Sequence, residues 1–109
     1  MPVLVLTTTG RRSARDHATP LTFFRDGSDL VVIASNGGAD RPPDWFLNLR
    51  LTPQAVIEIG GDKVAVRART ASAEERAQLW VTITATFGLY ARYQNRTARE
   101  IPVVILTPD

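Results

Sequence analysis

Short apolar runs rich in β-branched residues alternate along the chain with polar, glycine-rich segments. This pattern is typical of β-strands joined by turns. It predicts six strands, at residues 1–9, 18–24, 30–34, 54–59, 63–70 and 101–106. Short polar turns separate the second strand from the third and the fourth from the fifth, so each of these pairs is expected to form a hairpin.

Two of the predicted strands, residues 30–34 and 101–106, are apolar at every position. A strand in which polar and apolar residues alternate has one face in water, whereas an unbroken apolar run indicates that both faces are covered. We therefore expect the final strand to lie in the centre of the sheet.

Helical patterns interrupt the strands at two places. Residues 44–51 follow two prolines and precede Pro53, which predicts a short helix. Ser72 and Glu75 have the spacing of a capping box, so a longer helix is expected to begin at about Ala73. Gly88 should break that helix, and residues 89–97 should form another short one. The apolar positions expected to pack the longer helix on the sheet are Leu79, Trp80, Ile83 and Phe87.

The order of these elements restricts the fold class. A doubly wound parallel sheet needs a helix between almost every pair of strands, and this chain has too few. A small closed or split β-barrel satisfies the pattern with two to three short helices. We predict one mainly β (α+β) domain, a six-stranded split barrel that spans residues 1–109.

Composition excludes several classes of site. The chain has no cysteine and one histidine, His17, which argues against disulfides and against a bound metal. Its formal net charge of +2 makes nucleic acid a poor partner. No apolar run approaches the roughly 20 residues that span a bilayer, and the N-terminus does not resemble a signal peptide. A cytoplasmic protein is expected.

Candidate chemistry begins where the first strand ends. Residues 7–13 combine three threonines, a glycine, two arginines and a serine. Glycine permits a tight turn, and each arginine offers a planar set of donors that matches phosphate or carboxylate oxygens. The segment therefore has the groups of an anion site, although a solvated corner between two strands would have the same composition.

A second candidate segment follows the third strand. Residues 35–43 contain two glycines and two prolines and cannot continue a strand. Such a loop of small residues lets a flat ligand approach the main chain closely. In the next helix, Trp45 is either a wall of this pocket or a core residue, and Asn48 can face away from the apolar side.

Three separated stretches of the chain together carry a resemblance to a known family. They are residues 7–13, residues 34–40 with Pro43, Trp45, Asn48 and Leu49, and residues 90–94 with 96–103. In this order they resemble the deazaflavin-dependent nitroreductase family of actinobacteria over nearly the whole chain. The resemblance implies a split β-barrel of the flavin mononucleotide (FMN)-binding type that binds the deazaflavin coenzyme F420. It also implies hydride transfer from the reduced coenzyme to a quinone, a nitroaromatic or another activated small-molecule acceptor.

The resemblance also assigns residue roles. The basic loop would hold the coenzyme's phosphate and acidic tail, the small-residue loop would lie along the ring, and Ser35, Tyr90 and Tyr93 would surround the acceptor as catalytic residues. The implied coenzyme-binding residues are Thr9, Gly10, Arg11, Arg12, Ser13, His17, Ala34, Ser35, Asn36, Gly37, Gly38, Trp45 and Asn48.

Two positions depart from the family pattern. Ala14 replaces a glycine that is common in the basic loop, which narrows the available backbone geometry, and Phe87 stands where a tyrosine is usual. Relatives often have a helix before the first strand that can contact a membrane, and without it we expect any peripheral membrane contact for a quinone substrate to be weaker. The alternatives are a split barrel that binds FMN, a non-catalytic F420-binding module and a structural oligomeric barrel without a ligand. Under each of these interpretations a homodimer would cover the exposed sheet edge.

Overall fold

The computed structural model describes residues 2–109; Met1, the first residue of the first predicted strand, lies outside them. The strands are β1 (Val3–Thr9), β2 (Asp16–Thr22), β3 (Phe24–Asp26), β4 (Asp29–Ile33), β5 (Gln54–Ile59), β6 (Asp62–Thr70) and β7 (Val103–Pro108). The helices are α1 (Asp44–Leu51), α2 (Ala73–Thr86) and α3 (Leu89–Asn95), and a 3-10 turn covers Asn36–Gly38.

All seven strands belong to one antiparallel sheet with the order β2-β1-β5-β6-β7-β4-β3. The two outermost strands, β2 and β3, are consecutive in the chain and separated only by Phe23. The two ends of the sheet are therefore joined covalently, and the sheet curls into a barrel. Strand β7 pairs with both β6 and β4, which confirms its predicted central position.

The barrel class is confirmed, but the predicted count of six strands is wrong. The second predicted strand divides at Phe23, so that β2 pairs with β1 while β3 pairs with β4. The Phe23 side chain is buried in the barrel, and its N–H donates to the Pro2 carbonyl at 3.2 Å. Burying this ring turns the chain from one edge of the sheet to the other. The hairpin predicted between residues 18–24 and residues 30–34 therefore forms only between β3 and β4.

Two hydrophobic clusters lie on opposite faces of the sheet. The barrel interior is filled mainly by leucine, isoleucine and valine, and Trp45, Phe46 and Leu49 of α1 pack into it. The outer cluster packs Ile83 and Ile101 against the other face of β4 and β7. Both faces of these two strands are covered, which explains their unbroken apolar sequences. Burial of each such side chain contributes roughly 1.5–3 kcal/mol.

The predicted helix α2 begins as its capping box requires. Ser72 Oγ accepts a hydrogen bond from the Glu75 N–H at 3.2 Å, and a Glu75 carboxylate oxygen accepts one from the Ser72 N–H at 2.9 Å. Gly88 separates α2 from α3, as expected, although α3 ends at Asn95 rather than at residue 97. None of the helices within residues 2–109 is long and apolar enough to cross a membrane.

Candidate functional site

The basic loop between β1 and β2 is closed by its own main chain. The Gly10 N–H donates to the Arg15 carbonyl at 2.7 Å, and the Ala14 N–H donates to the Gly10 carbonyl at 2.9 Å. Ser13 Oγ and His17 Nε2 consequently lie 3.3 Å apart. A Cβ atom on Gly10 would lie 2.6 Å from each of these two atoms. Only glycine therefore allows the serine and the histidine to approach the loop backbone together.

Ala14 has a left-handed backbone conformation, with φ at +58°. This is the geometry that glycine adopts without strain and that a residue with a Cβ atom adopts at a cost of roughly 1–2 kcal/mol. The loop thus retains a glycine-type turn although the family's usual glycine is an alanine. The expectation that Ala14 is a constrained position agrees with this conformation.

Arg11 is fixed by Asn48. The main-chain N–H of Arg11 and its Nη1 group donate to Asn48 Oδ1 at 3.2 and 2.9 Å. Asn48 Nδ2 in turn donates to Thr8 Oγ1 at 3.1 Å, and both Asn48 and Thr8 are buried. Helix α1 therefore orients the guanidinium group. Sequence reasoning missed Thr8, because nothing in the chain pattern indicates which helix side chain it meets.

Asp44, at the first turn of α1, is the acidic residue of this site. Its Oδ1 atom accepts hydrogen bonds from Arg11 Nη2 at 3.2 Å and from Arg41 Nη2 at 3.3 Å. The hydrogen bond from Arg11, followed by that from Arg41, lowers the pKa of Asp44 below its ordinary value of 3.8. Arg12 is exposed and takes part in none of the ion pairs found within residues 2–109. Asp44 and Arg41 were not predicted.

These groups surround a cavity of about 420 Å³, within the size range of small-molecule sites. Its lining residues are Thr8, Gly10, Arg11, Arg12, Ser13, His17, Ala18, Thr19, Asp44, Trp45 and Asn48. A second hollow of about 250 Å³ shares Thr19, Asp44 and Trp45 with the first and adds Asn36 and Arg41. The two hollows therefore adjoin and form a groove from the basic loop past Trp45 to the small-residue loop.

The small-residue loop turns sharply after β4. Asn36, Gly37 and Gly38 have φ values of +47°, +65° and +83°. A Cβ atom on Gly38 would lie 2.8 Å from the carbonyl oxygen of Tyr93 and 3.1 Å from its Cα atom. The absence of a side chain at Gly38 thus brings α3 against the loop.

Arg99 holds the main chain of the same loop from behind. Its guanidinium donates to the carbonyls of Ala39 and Ser35, each at 2.9 Å, and of Ala34 at 3.3 Å. Its Nη1 atom is buried without a hydrogen-bond partner within residues 2–109. Arg99 belongs to the stretch that carries the family resemblance, but no role was predicted for it.

The two predicted tyrosines lie beyond the groove, in the outer hydrophobic cluster. The Tyr90 ring packs edge to face against Phe24 and Tyr93, with centroids 6.3 and 6.1 Å apart. Burial, the largest effect, raises the pKa of the Tyr90 hydroxyl. Phe87 packs against Phe24 with ring centroids 5.6 Å apart, an apolar contact that does not require the missing hydroxyl.

The predicted site residues are therefore only partly gathered in one place. Gly10, Arg11, Arg12, Ser13, His17, Trp45 and Asn48 line the larger cavity, and Asn36 lines the adjoining hollow. Ser35, Tyr90 and Tyr93 line neither of these two hollows. They lie around the small-residue loop, where Ser35 is nearly buried and the Tyr93 main chain contacts Gly38. Within residues 2–109 no cluster of three potential metal ligands occurs.

The groups in the groove suit an anionic, partly flat coenzyme. Guanidinium, hydroxyl and imidazole groups converge at one end, where the missing side chain of Gly10 lets the serine and the histidine of the cavity lie against the loop main chain. At the other end, Trp45 provides an aromatic wall, and Asn36 donates from its side chain to the Arg41 carbonyl at 2.9 Å. Phosphate and planar-ring moieties fit these two ends.

Comparison with known proteins agrees with this chemistry. The model of a family described as F420H(2)-dependent quinone reductase matches residues 1–108. The F420H(2)-dependent quinone reductase Rv1261c of Mycobacterium tuberculosis strain H37Rv is 38% identical to this chain in an alignment 109 residues long. The alignment covers 97% of this chain and 73% of the relative.

Two solved structures share the fold. One is described as an F420-H2 dependent reductase (FDR-A), with a TM-score of 0.85 and 31% identity over 96% of this chain and 93% of that one. The other is described as a domain-swapped dimer, with a TM-score of 0.86 and 31% identity over 96% of this chain and 79% of that one. The resemblance inferred from sequence is confirmed, as are the split-barrel class and F420 as the coenzyme. The chain belongs to the family of F420H(2)-dependent quinone reductases.

Proposed function

We propose that this protein reduces a quinone with F420H2 and that the basic-loop cavity holds the coenzyme's phosphate. The observation that carries the assignment of the cavity is the fixed position of Arg11, whose guanidinium is oriented by the buried Asn48 while it lines the cavity. A preorganised donor needs little further ordering when an anion binds, which favours binding.

The residues of the cavity divide the work of binding. Arg11 and the exposed Arg12 supply positive charge. Ser13 and His17 supply further polar contacts, and Gly10 leaves the space in which these two side chains lie against the loop main chain. Thr9 directly precedes this loop at the end of β1. The acidic tail of the coenzyme would extend toward the exposed arginines.

The ring end of the site is assigned to the small-residue loop. When bound, F420H2 supplies a hydride from its reduced deazaflavin ring. Trp45 would exclude water from one side, and the main chain of residues 34–38 would contact the polar edge of the ring. Arg99 supports this role because its hydrogen bonds to the carbonyl oxygens of Ala34 and Ser35 hold the loop in one conformation.

The acceptor side is assigned to Ser35, Tyr90 and Tyr93. Hydroxyl groups can donate to a quinone oxygen as negative charge develops on it. The Tyr90 hydroxyl can act as such a donor at neutral pH, since burial raises its pKa above the ordinary tyrosine value of 10.0. Since these residues line neither hollow, a bound ring would have to bridge the groove and the tyrosine pair.

A spectroscopic titration with purified F420 tests the proposal. We expect the wild-type protein to bind it with a Kd well below 1 mM, and we expect replacement of Arg11 and Arg12 together by alanine to weaken binding at least tenfold. Arg15→Ala is the matched control, because Arg15 belongs to the same loop but does not line the cavity. An absence of wild-type binding at 1 mM, equivalent to about 4 kcal/mol, would refute the proposed function.

We also propose a cytoplasmic homodimer. The support for a dimer is the relative described as a domain-swapped dimer, together with Val3 and Val56, which are 51% and 39% exposed on the same outer face of β1 and β5. Sedimentation analysis of the wild type and of Val56→Lys would test this interface. Peripheral membrane contact, the remaining prediction about quinone access, can be tested by flotation with phospholipid vesicles.

A further inference from the structure

We propose that Asp44 makes the basic-loop cavity selective for a phosphodiester over a terminal phosphate monoester, and thereby for F420 over FMN. This inference rests on the proposed assignment of the cavity to the coenzyme's phosphate. F420 carries its phosphate as a diester with one negative charge, whereas FMN carries a monoester with a charge of about −1.5 to −2 at neutral pH.

Among residues 2–109, Asp44 is the one acidic residue that lines the cavity and the adjoining hollow. Arg11 and Arg12 contribute guanidinium groups to the cavity, and Arg41 in the adjoining hollow pairs with the Asp44 carboxylate at 3.3 Å. Repulsion between like charges grows with the charge on the ligand. The Asp44 carboxylate therefore disfavours a phosphate monoester about twice as strongly as a phosphodiester, which carries a single negative charge.

Asp44 acts through its charge rather than by positioning Arg11. The Arg11 main chain and guanidinium are already held by Asn48 Oδ1, which is itself fixed by Thr8. The Asp44 side chain is 72% exposed, and Arg41 shares the same carboxylate oxygen with Arg11. Exposed pairs of this kind hold side chains weakly. Removing the charge should therefore leave the Arg11 geometry in place.

The location of Asp44 places it beside any ligand in the groove. It lines both the larger cavity and the adjoining hollow, so a group in either space lies near its carboxylate. The guanidinium groups of Arg11 and Arg41 lower its pKa, and it remains ionised at neutral and alkaline pH. The repulsion is thus a constant feature of the site under those conditions.

The test uses two probes that differ by one methyl group and one charge: methyl phosphate, a monoester, and dimethyl phosphate, a diester. Binding of each at pH 8 is measured from the NMR shifts of the Gly10, Arg11 and Arg12 amides, in the wild type and in Asp44→Asn. We expect the variant to bind methyl phosphate at least threefold more tightly, with a smaller change for dimethyl phosphate. Asp62→Asn, an exposed change of the same charge in the β5–β6 hairpin, should alter neither affinity.

Three results would overturn the inference: equal effects of Asp44→Asn on the two probes, weaker binding of both, or an absence of binding of either probe at the loop. Weaker binding of both would mean that Asp44 positions Arg11. Titrations with FMN and F420 extend the test, because the preference for F420 should fall in the variant. If the wild type retains the phosphodiester preference but does not bind F420, the proposed function fails and the selectivity of the cavity stands.

Discussion

Gly38 and Tyr93 approach so closely that a Cβ atom at Gly38 would lie 2.8 Å from the Tyr93 carbonyl oxygen. This contact joins the small-residue loop to α3, which carries both tyrosines of the proposed acceptor site. The neighbouring Gly37 has a similar backbone conformation, with φ at +65° against +83°, but nothing lies within 4 Å of its missing Cβ. Alanine at Gly37 should therefore introduce backbone strain alone, whereas alanine at Gly38 should introduce both strain and a steric clash.

We expect Gly38→Ala to destabilise the protein by about 2–4 kcal/mol, because strain of about 1–2 kcal/mol adds to a clash with main-chain atoms that cannot rotate away. Gly37→Ala, the matched control, should cost about 1–2 kcal/mol from strain alone. Urea denaturation of both variants measures the difference. Equal losses would show that α3 moves freely away from the loop.

In the basic loop, the reverse substitution of alanine by glycine should raise the free energy of unfolding. Ala14 has φ at +58°, so Ala14→Gly relieves strain but also makes the unfolded chain more flexible. We expect a net gain of about 0.5–1 kcal/mol in the free energy of unfolding. Ala39→Gly provides the control, because Ala39 is also an exposed loop residue but has an ordinary φ of −65° and should lose stability. A loss at both positions would contradict the assignment of strain to Ala14.

The sequence predicted the elements more completely than it predicted the site. Capping boxes, glycines and apolar periodicity act over a few neighbouring residues, so the start of α2 and the central place of β7 could be inferred from the chain alone. The division at Phe23 could not, because residues on both sides of it have strand-forming sequences and only burial of the ring decides where the chain turns. Asp44 was missed for a related reason: its partner Arg11 lies 33 positions away.

Asn48 supplies the sharpest example of such a long-range contact, and a double-mutant cycle can measure it. Asn48→Ala removes the acceptor for two Arg11 donors and leaves Thr8 without its donor. We expect a stability loss of about 1–3 kcal/mol and at least tenfold weaker F420 binding. Arg11→Ala alone should also weaken binding. Because the two residues act as one unit, the double variant should bind F420 little worse than either single variant. Additive losses in affinity would show that Asn48 contacts the coenzyme independently of Arg11.

The acid stability of the protein should depend on Glu75. Its pKa is lowered from 4.5 to about 2, first by hydrogen bonds from Arg69 at 2.7 and 2.8 Å and then by the Ser72 N–H. A carboxylate with a lowered pKa in the folded state contributes stability above its unfolded pKa, and this contribution disappears as pH falls from about 4.5 to about 2. The wild type should therefore exceed Glu75→Gln in stability at pH 6, and the difference should vanish near pH 2.

Urea midpoints at several pH values between 2 and 6 measure this difference. Glu74→Gln is the control, since Glu74 is in the same first turn of α2 but has no hydrogen bond to Arg69 among the described residues. Because this variant keeps the Arg69–Glu75 pair, its stability should still fall between pH 6 and pH 2 by the part that this pair contributes. A constant difference between the wild type and Glu75→Gln would show that the Arg69 pair does not persist in solution.

Arg99 is expected to position the loop on which the ring of the coenzyme is proposed to lie. Its planar guanidinium reaches three carbonyl oxygens at once, a geometry that the single ammonium group of lysine cannot reproduce. We expect Arg99→Lys to raise the KM for F420H2 about tenfold with a smaller change in kcat, because the loop main chain is no longer held in one conformation. Arg96→Lys is the matched control, since Arg96 makes one long hydrogen bond of 3.4 Å to the Gly37 carbonyl, and a lysine ammonium can keep its other contact, the cation–π contact over the Tyr93 ring at 5.6 Å. A loss of stability in Arg99→Lys with an unchanged KM would mean that the clamp serves folding alone.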